Sequence, residues 1–590
     1  RWSGSMSIRR AVQSGTVRRR AWRAAASGGL AAWVLCGGAR SANAGAVSAS
    51  GSAWIRERSI CSMGSSESKV PGGLRKELEE KGQAQVLDFV DRKMLSAAET
   101  KALVKQLKSI DVSRANELFT GSTAEKPAGD EKVTPVDPSE VVSVAKAVEQ
   151  AEKWSELAYE RMSKGQVAFL VLSGGQGTRL GFDRAKGIYD ISLPSSKTLF
   201  QLQGERLLKL HELVKAKYPE AAAKGTVRIP WYIMTSPLND EDTRGYFKEN
   251  NYFGLSEKDV VFFQQGTLPC MTNEGKFILQ RKDKVASAPD GNGGIYLSMK
   301  NTGVLKAMED LGVEYIHVTS VDNALVKVAD PVFMGCCIEK EAEVGNKGCP
   351  KVSWDEKVGV LALKGGEYNI VEYSELEESM AKATSEDGRL LFSTGNICNH
   401  FFTLSFIRDK AIPALSASYH IAHKKIPFAD SETGETVKPT ANNGIKLELF
   451  IFDVFPLTKK MGVFECDRQA EFAPVKNAPG EKSDSPDSAR NMTFALHKSW
   501  LEAAGAKVEV EGENAEVPIE VTPRVSYGGE GLEEIVASVP SFKAPMLLCR
   551  EDEPSFEVSA DAKVVSAEGK DKTVKHFVTD AGVNVYVVQK

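Results

Sequence analysis

Leu172 to Gly187 reads LSGGQGTRLGFDRAKG, at the end of the apolar run QVAFLVL (166–172), and holds five glycines, two arginines and a lysine. These residue types share one strong chemical use. Glycine lets backbone N–H groups approach an anion closely, and adjacent cations neutralise it. In an open parallel sheet ligands bind at the carboxyl ends of strands, which is where this loop stands. Two common phosphate loops fail on spacing. G-x-x-x-x-G-K-[ST] needs a Lys-Ser or Lys-Thr that does not follow in register. G-x-G-x-x-G fails because Gly175-x-Gly177 meets Leu180 at the required place, with Gly181 one residue late. By itself the stretch stays open between an anion cradle and a glycine-rich turn with solvated cations.

Such a loop must be held by strands. QVAFLVL, RIPWYIMTS (228–236), DVVFFQQ (259–265) and EYIHVTSV (314–321) are short apolar runs, separated by the helical stretches KTLFQLQGERLLKLHELVKAKY, EDTRGYFKENN and TGVLKAMEDLG. That alternation predicts βαβ units and a mostly parallel sheet covered on both faces. VGVLALKG, YNIVEY and NHFFTLSFI read as strands of a mixed sheet beside it. Upstream, residues 72–119 repeat apolar positions at three- and four-residue spacing, which predicts a small helical domain, followed by the polar, proline-bearing linker TGSTAEKPAGDEKVTPVDPSE. Past Ser483 one helix (MTFALHKSWLEAAG) and short strands (KVEVEG, VPIEVT, APMLLC, KHFVTD) predict a β-containing C-terminal domain. The expected fold class is α/β: a Rossmann-like core with a helical domain before it and a small β-containing one after. Boundaries fall at 1–65, 66–165, 166–482 and 483–590.

Over 590 residues, 75 Lys and Arg face 79 Asp and Glu, a net charge of −4. No basic field marks nucleic acid as a partner. The nine cysteines form no C-x-x-C pair, which fits unpaired thiols in a reducing compartment. The first 65 residues differ in kind: rich in Arg, Ser and Ala, without an acid before Glu57, and with Ser41-Ala42-Asn43-Ala44 as a small-residue cleavage pattern. They read either as a presequence for a plastid or mitochondrion or as an upstream extension with Met6 or Met63 as the start. Their apolar part, Ala24 to Gly38, is too short to span a membrane.

Gly174-Gly175-x-Gly177-Thr178-Arg179-Leu180-Gly181 with Lys186-Gly187 resembles the signature of sugar nucleotidyltransferases, the pyrophosphorylases that make NDP-sugars, in the form typical of eukaryotic UDP-N-acetylglucosamine pyrophosphorylases. Further motifs follow in the same order, and the resemblance runs from about Gly72 to about Pro540. They are QQGTLPCM (264–271), APDGNGGIY (288–296), VDNALVKVADP (321–331), VGVL, VEYSE, TGNICNHFF, NGIKLELFIFD and EFAPVKNAPG.

The resemblance implies conversion of UTP and N-acetylglucosamine 1-phosphate to UDP-N-acetylglucosamine and diphosphate, with Mg2+ or Mn2+ as cofactor. It implies catalytic roles for Arg179, Lys186 and Lys476, and UTP contacts at Leu172, Ser173, Gly174, Gly175, Gln265, Gly291, Asp322 and Lys446. Asp322 is the implied metal ligand. Asn292, Gly359, Glu372, Tyr373, Asn396, Phe450 and Phe452 are the implied sugar contacts. A cytoplasmic location is the family default, and monomer and weak dimer both stay open. Departures are mild: Ser173 stands where alanine is usual, Phe182-Asp183-Arg184-Ala185 replaces an apolar run ending in proline, and GNKGCPKVSW (345–354) differs on the sugar side.

Each residue also has a plainer use. Asp322 at a strand end is a common helix N-cap, Asn292-Gly293 a turn, and Glu372, Tyr373, Lys446 and Lys476 ordinary surface residues. Phe450 and Phe452 alternate with Leu449 and Ile451, which predicts core first and pocket wall second. HIAHKK (420–425) reads as a solvated helix end rather than a metal site. Two alternatives remain: a related enzyme preferring another sugar 1-phosphate, and a non-catalytic nucleotide-sugar binder. Retention of Arg179, Lys186, Asp322 and Lys476 speaks against the second.

Overall fold

The strand Val167–Leu172 is buried at every position, as a run without polar alternation must be when helices cover both faces. The computed structural model describes residues 70–589 except 125–130, 145–146, 416–418, 511–516, 554–558 and 568. The expected presequence lies outside the described residues.

The main sheet has eleven strands. Its principal path runs through residues 141–143, 461–465, 344–350, 394–403, 315–320, 167–172, 231–235 and 260–264. All are parallel except 394–403, which is antiparallel to both its neighbours. The sheet is thus mixed and mostly parallel, as the alternation of strands and helices predicts. From Val167–Leu172 the chain crosses by the helix Leu199–Lys217 to Trp231–Thr235, then by Asp240–Glu249 to Val260–Gln264. It then returns to the other side of the first strand as Tyr315–Ser320. The strand order therefore reverses between Leu172 and Ser320, and a crevice opens at their carboxyl ends.

The antiparallel strand carries a bulge. Asn399 opposes Lys347 and Asn396 opposes Gly348, so Ile397 and Cys398 are extra, and Cys398 takes φ 54°. Bulges re-aim side chains and concentrate beside active sites.

Residues from Glu67 onward form one compact unit. The N-terminal helices, among them Ala97–Ser109 and Val112–Thr123, share one apolar core with the sheet: Leu74, Leu78, Leu103 and Leu118 join Leu170, Ile316 and Phe402. Ser96 and Glu99 cap the first of these helices reciprocally, the Ser96 Oγ accepting from Glu99 N at 3.2 Å and the Glu99 carboxylate from Ser96 N at 2.7 Å. The C-terminal region instead keeps its own core, with Leu501, Val521, Leu532, Phe542 and Leu548 packed between the helix Pro486–Ala503 and a five-stranded sheet.

Two local expectations need correction. NHFFTLSFI stays extended only to Thr403, whose Oγ1 accepts from Phe406 N and starts a helical turn. HIAHKK is a strand, His420–Lys424, antiparallel to Gly444–Glu448, and not a helix end. Its partner lies twenty residues downstream, beyond the reach of local periodicity.

Candidate active site

The glycine loop is shaped by the turn after the neighbouring strand. Ser173 N donates to Met234 O at 2.8 Å. Asn239 Nδ2 donates to the carbonyls of Ser173 (2.8 Å) and Gly175 (3.2 Å), and Ser236 Oγ to that of Gly174 (2.8 Å). Three consecutive carbonyls are thus held by side chains, while the amides of Gly174 and Gly175 donate to no group among the described residues. Unpaired N–H groups at a cavity are what an anion completes. A Cβ on Gly174 would come within 2.0 Å of Gln265 Oε1, whereas Gly175 has nothing within 4 Å. The first glycine serves close packing, the second access.

The two arginines of the loop separate. Arg184 pairs with Asp242 of the helix Asp240–Glu249 at 2.6 Å. Arg179, exposed on the turn Thr178–Leu180, has no ion pair among the described residues. Lys186 Nζ stands 3.2 Å from Asp322 Oδ2 across the crevice. Ser320 Oγ donates to the other Asp322 oxygen at 2.7 Å. Burial pushes the Asp322 carboxyl up, but Lys186, Lys476 and the Ser320 hydroxyl outweigh it, and its pKa falls below the ordinary aspartate value. Asp322 caps no helix; the next one starts at Pro331 under Asp330.

Lys476 reaches the site because its segment is zipped to the Asp322 turn. Val475 N donates to Asp322 O at 2.9 Å and Ala324 N to Ala473 O at 3.0 Å. Asn323, 4 % exposed, donates to Glu471 O and accepts from Ala473 N.

A cavity of about 350 Å3 opens beside the loop. Leu172, Gly174, Gly175, Gln265, Gly291, Asn292 and Lys446 line it, all from the predicted set and from four separate stretches of chain. Gly291 has φ +89°, and a Cβ there would lie 2.2 Å from Leu449 O, so no other residue fits. Asn292 Oδ1 accepts from Ile451 N at 3.0 Å, which commits half of its amide to the fold. Ser320, Cys398 and Glu448 also line the cavity; Cys398 and Glu448 lie within quoted motifs, but none of the three was singled out. Cys398 is brought there by the bulge, a register effect no local pattern encodes. Asp290, 6 % exposed with Oδ1 unpartnered, was likewise not singled out. Burial raises its pKa to about 6, opposed by a backbone hydrogen bond and then by Arg114.

The predicted sugar residues form a second cluster. Asn396 N donates to Gly359 O at 2.8 Å, and a Cβ on Gly359 would approach Glu372 Oε1 to 3.0 Å. The half-buried Glu372 has a raised pKa, from burial first and Glu375 second, opposed by His420. Asn396 Oδ1 accepts from Cys398 N, which ties this cluster to the cavity floor. Tyr373 is 48 % exposed. Phe450 and Phe452 stack at 5.1 Å, and His420 lies 4.6 Å from the Phe450 ring. The expectation of core first is corrected here: Leu449 and Ile451 are fully buried, while the two phenylalanines lie on the half-buried face. His420 also pairs with Asp453 at 2.8 Å, an acid that its own segment does not contain.

Among the described residues no group of three or more His, Cys, Asp or Glu is arranged to hold a metal. Asp322, ionised and at the crevice, is a single carboxylate, which suits Mg2+ shared with substrate phosphates and waters.

The chain is 41% identical over 473 residues to UDP-N-acetylglucosamine diphosphorylase 2 of Arabidopsis thaliana, covering 79% of this chain and 92% of that one. It is 40% identical over 475 residues to UDP-N-acetylglucosamine pyrophosphorylase of Saccharomyces cerevisiae, covering 78% and 96%. The fold is similar to that of the uridine diphosphate N-acetylglucosamine pyrophosphorylase of Trypanosoma brucei, solved with an inhibitor (TM-score 0.65, 31% identity, 79% and 96% covered). Residues 113–500 match the model of the family described as UTP–glucose-1-phosphate uridylyltransferase, and the chain belongs to that family.

Proposed function

We propose that this chain is a uridylyltransferase that forms UDP-N-acetylglucosamine and diphosphate from UTP and N-acetylglucosamine 1-phosphate. The observation that carries the reading is the crevice at the strand reversal. There Gly174 and Gly175, whose amides donate to no group among the described residues, line the cavity and Lys186 pairs with Asp322, in a chain about 40% identical to relatives named for this activity.

The sugar phosphate is itself the nucleophile, so no general base is needed. The task is to align two polyanions at the α-phosphorus and to balance the charge that develops. Arg179 and Lys186 hold the β and γ phosphates and stabilise the departing diphosphate. Lys476, brought up by the Asp322–Val475 pairing, meets the incoming sugar phosphate, and Lys446, on the cavity wall, meets the α-phosphate. Gln265 and Gly291 bound the uracil, while Asn292, Glu372, Tyr373 and Asn396 hydrogen-bond the sugar. Asp322 would hold Mg2+, or Mn2+, which supplies Lewis-acid polarisation of the phosphates when bound. In the free protein Asp322 is instead balanced by Lys186, so a nucleotide redistributes an existing charge pair rather than desolvating a lone carboxylate.

Diphosphate release with a panel of sugar 1-phosphates, with and without Mg2+, tests this reading. N-acetylglucosamine 1-phosphate is expected at least ~10-fold ahead of glucose 1-phosphate in kcat/KM, because polar groups built for an amide are left unpaired without it. Arg179→Ala is expected to lower kcat by roughly 10²–10³ with little change in UTP affinity. Equal use of glucose 1-phosphate would remove the named sugar, and a near-normal Arg179→Ala the named role.

A further inference from the structure

We infer that Gln106 and Gln83, on the N-terminal helical segment, are positioning residues for the uridine end of the site. The inference deepens the uridylyltransferase reading and rests on it.

Gln265 and Gly291 stand at the two ends of a single excursion, residues 266–290. Its base is closed tightly: Asp290 N donates to Gly266 O at 3.2 Å, and Thr267–Pro269 pairs with Ser287–Pro289. Beyond the base its own strand pairing is short, with Cys270 N to Ala286 O at 2.7 Å and Leu279–Arg281 against Lys284–Val285. So small a projection is marginal alone, and its open edges need partners.

Those partners are side-chain amides. Gln106 Oε1 accepts from Val285 N at 2.9 Å and its Nε2 donates to Val285 O at 2.9 Å, completing both bonds as an adjacent strand would. Gln83, 2 % exposed, does the same at the tip, accepting from Phe277 N and donating to Gly275 O, each at 2.8 Å. Gln85 and Asn116 complete the Gln83 amide. Opposite, Met271 exchanges two bonds with Ile445, on the strand that carries Lys446. The excursion is therefore held between the N-terminal helices and the Lys446 strand, and a tilt pivots at Gln265 and Gly291. Since Gln265 Oε1 already lies where a Gly174 Cβ would be, the base pocket has no slack to absorb such a tilt. Arg179 and Lys186 lie outside the excursion, so the phosphate end stays in place.

The test is steady-state kinetics on the full chain with UTP, CTP and N-acetylglucosamine 1-phosphate, comparing wild type with Gln106→Met, Gln106→Asn and Gln83→Met. Gln106→Met is expected to raise KM for UTP about ten-fold, the equivalent of roughly 1.4 kcal/mol. It is expected to reduce the UTP-over-CTP preference in kcat/KM by about the same factor, with kcat and the sugar-phosphate KM within about two-fold. Gln106→Asn, which keeps the chemistry but loses one methylene of reach, is expected to behave like Gln106→Met. Should Gln83→Met fail to fold, the half-buried Gln106 carries the test. An unchanged UTP KM, or equal rises for UTP and sugar phosphate, overturns the inference alone. A wild-type protein that does not use UTP overturns the proposed function and this inference together.

Discussion

Two flanking regions grip the catalytic sheet with opposite chemistry. The N-terminal helices hold the 266–290 excursion through the neutral amides of Gln83 and Gln106 and a shared apolar core, with a partly exposed Lys282–Glu99 pair beside them. The C-terminal sheet has its own core and holds the segment after the glycine loop through buried charge. Lys197, without exposed surface, sits 2.5 Å from both Glu205 and Glu553, and Glu520 accepts from Ser195 N and Oγ at 2.7 and 2.6 Å. Amides give direction and reach without a desolvated charge. Buried ions give a joint that is costly to disturb on one side only and that responds to pH.

The largest effect is therefore expected at Lys197. Lys197→Met leaves two buried carboxylates facing each other and should cost about 3–5 kcal/mol in chemical denaturation. A loss below 1 kcal/mol would mean that the joint is not electrostatic.

Next comes Glu520, whose pKa is raised to about 7 by burial against its hydrogen bonds to Ser195. A folded-state pKa above the unfolded one, ordinarily near 4.3, means that the proton binds the native state more tightly. Its stability contribution is full below about pH 4 and is lost as pH rises through 7, roughly 3 kcal/mol in all. Glu520→Gln should flatten that slope between pH 5 and 7, read from denaturation midpoints. The N-terminal joint contains no such group at Gln83 or Gln106, so variants there should keep the wild-type pH profile.

Gln83→Leu strands the Phe277 N–H and the Gly275 carbonyl and should cost about 1–3 kcal/mol, equally at low and high salt. A strong salt dependence would erase the contrast drawn here. Smallest of all, Arg75→Ala removes an exposed pair with Asp91 on the same N-terminal helices and should change stability by less than about 1 kcal/mol, a loss that shrinks further with salt.

Much of this was legible in order along the chain. Strand runs, crossover helices and the glycine loop are local patterns, and the structure places each within a few residues. Arg179 and Lys186 were singled out through the resemblance of the glycine loop to a known signature, not by spacing alone. Glu448, Ser320 and Cys398 were not singled out, because what brings them to the cavity is tertiary placement, at Cys398 the bulge in its strand. His420–Lys424 was misread for the same reason, since a strand is defined by a partner, here residues 444–448. The amide clamp is invisible along the chain, where Gln83 and Gln106 look like helix-surface residues in a Glu- and Lys-rich stretch.

The sequence by itself determined the α/β layering and the place of the glycine loop at a strand end, because hydrophobic period, glycine spacing and caps act over a few residues. Tertiary structure alone decided which arginine of the loop carries an ion pair among the described residues. Arg184 and Arg179 are equivalent in type and five residues apart, yet Asp242 neutralises only the first. Charge compensation depends on distance in space, and no local pattern carries that distance.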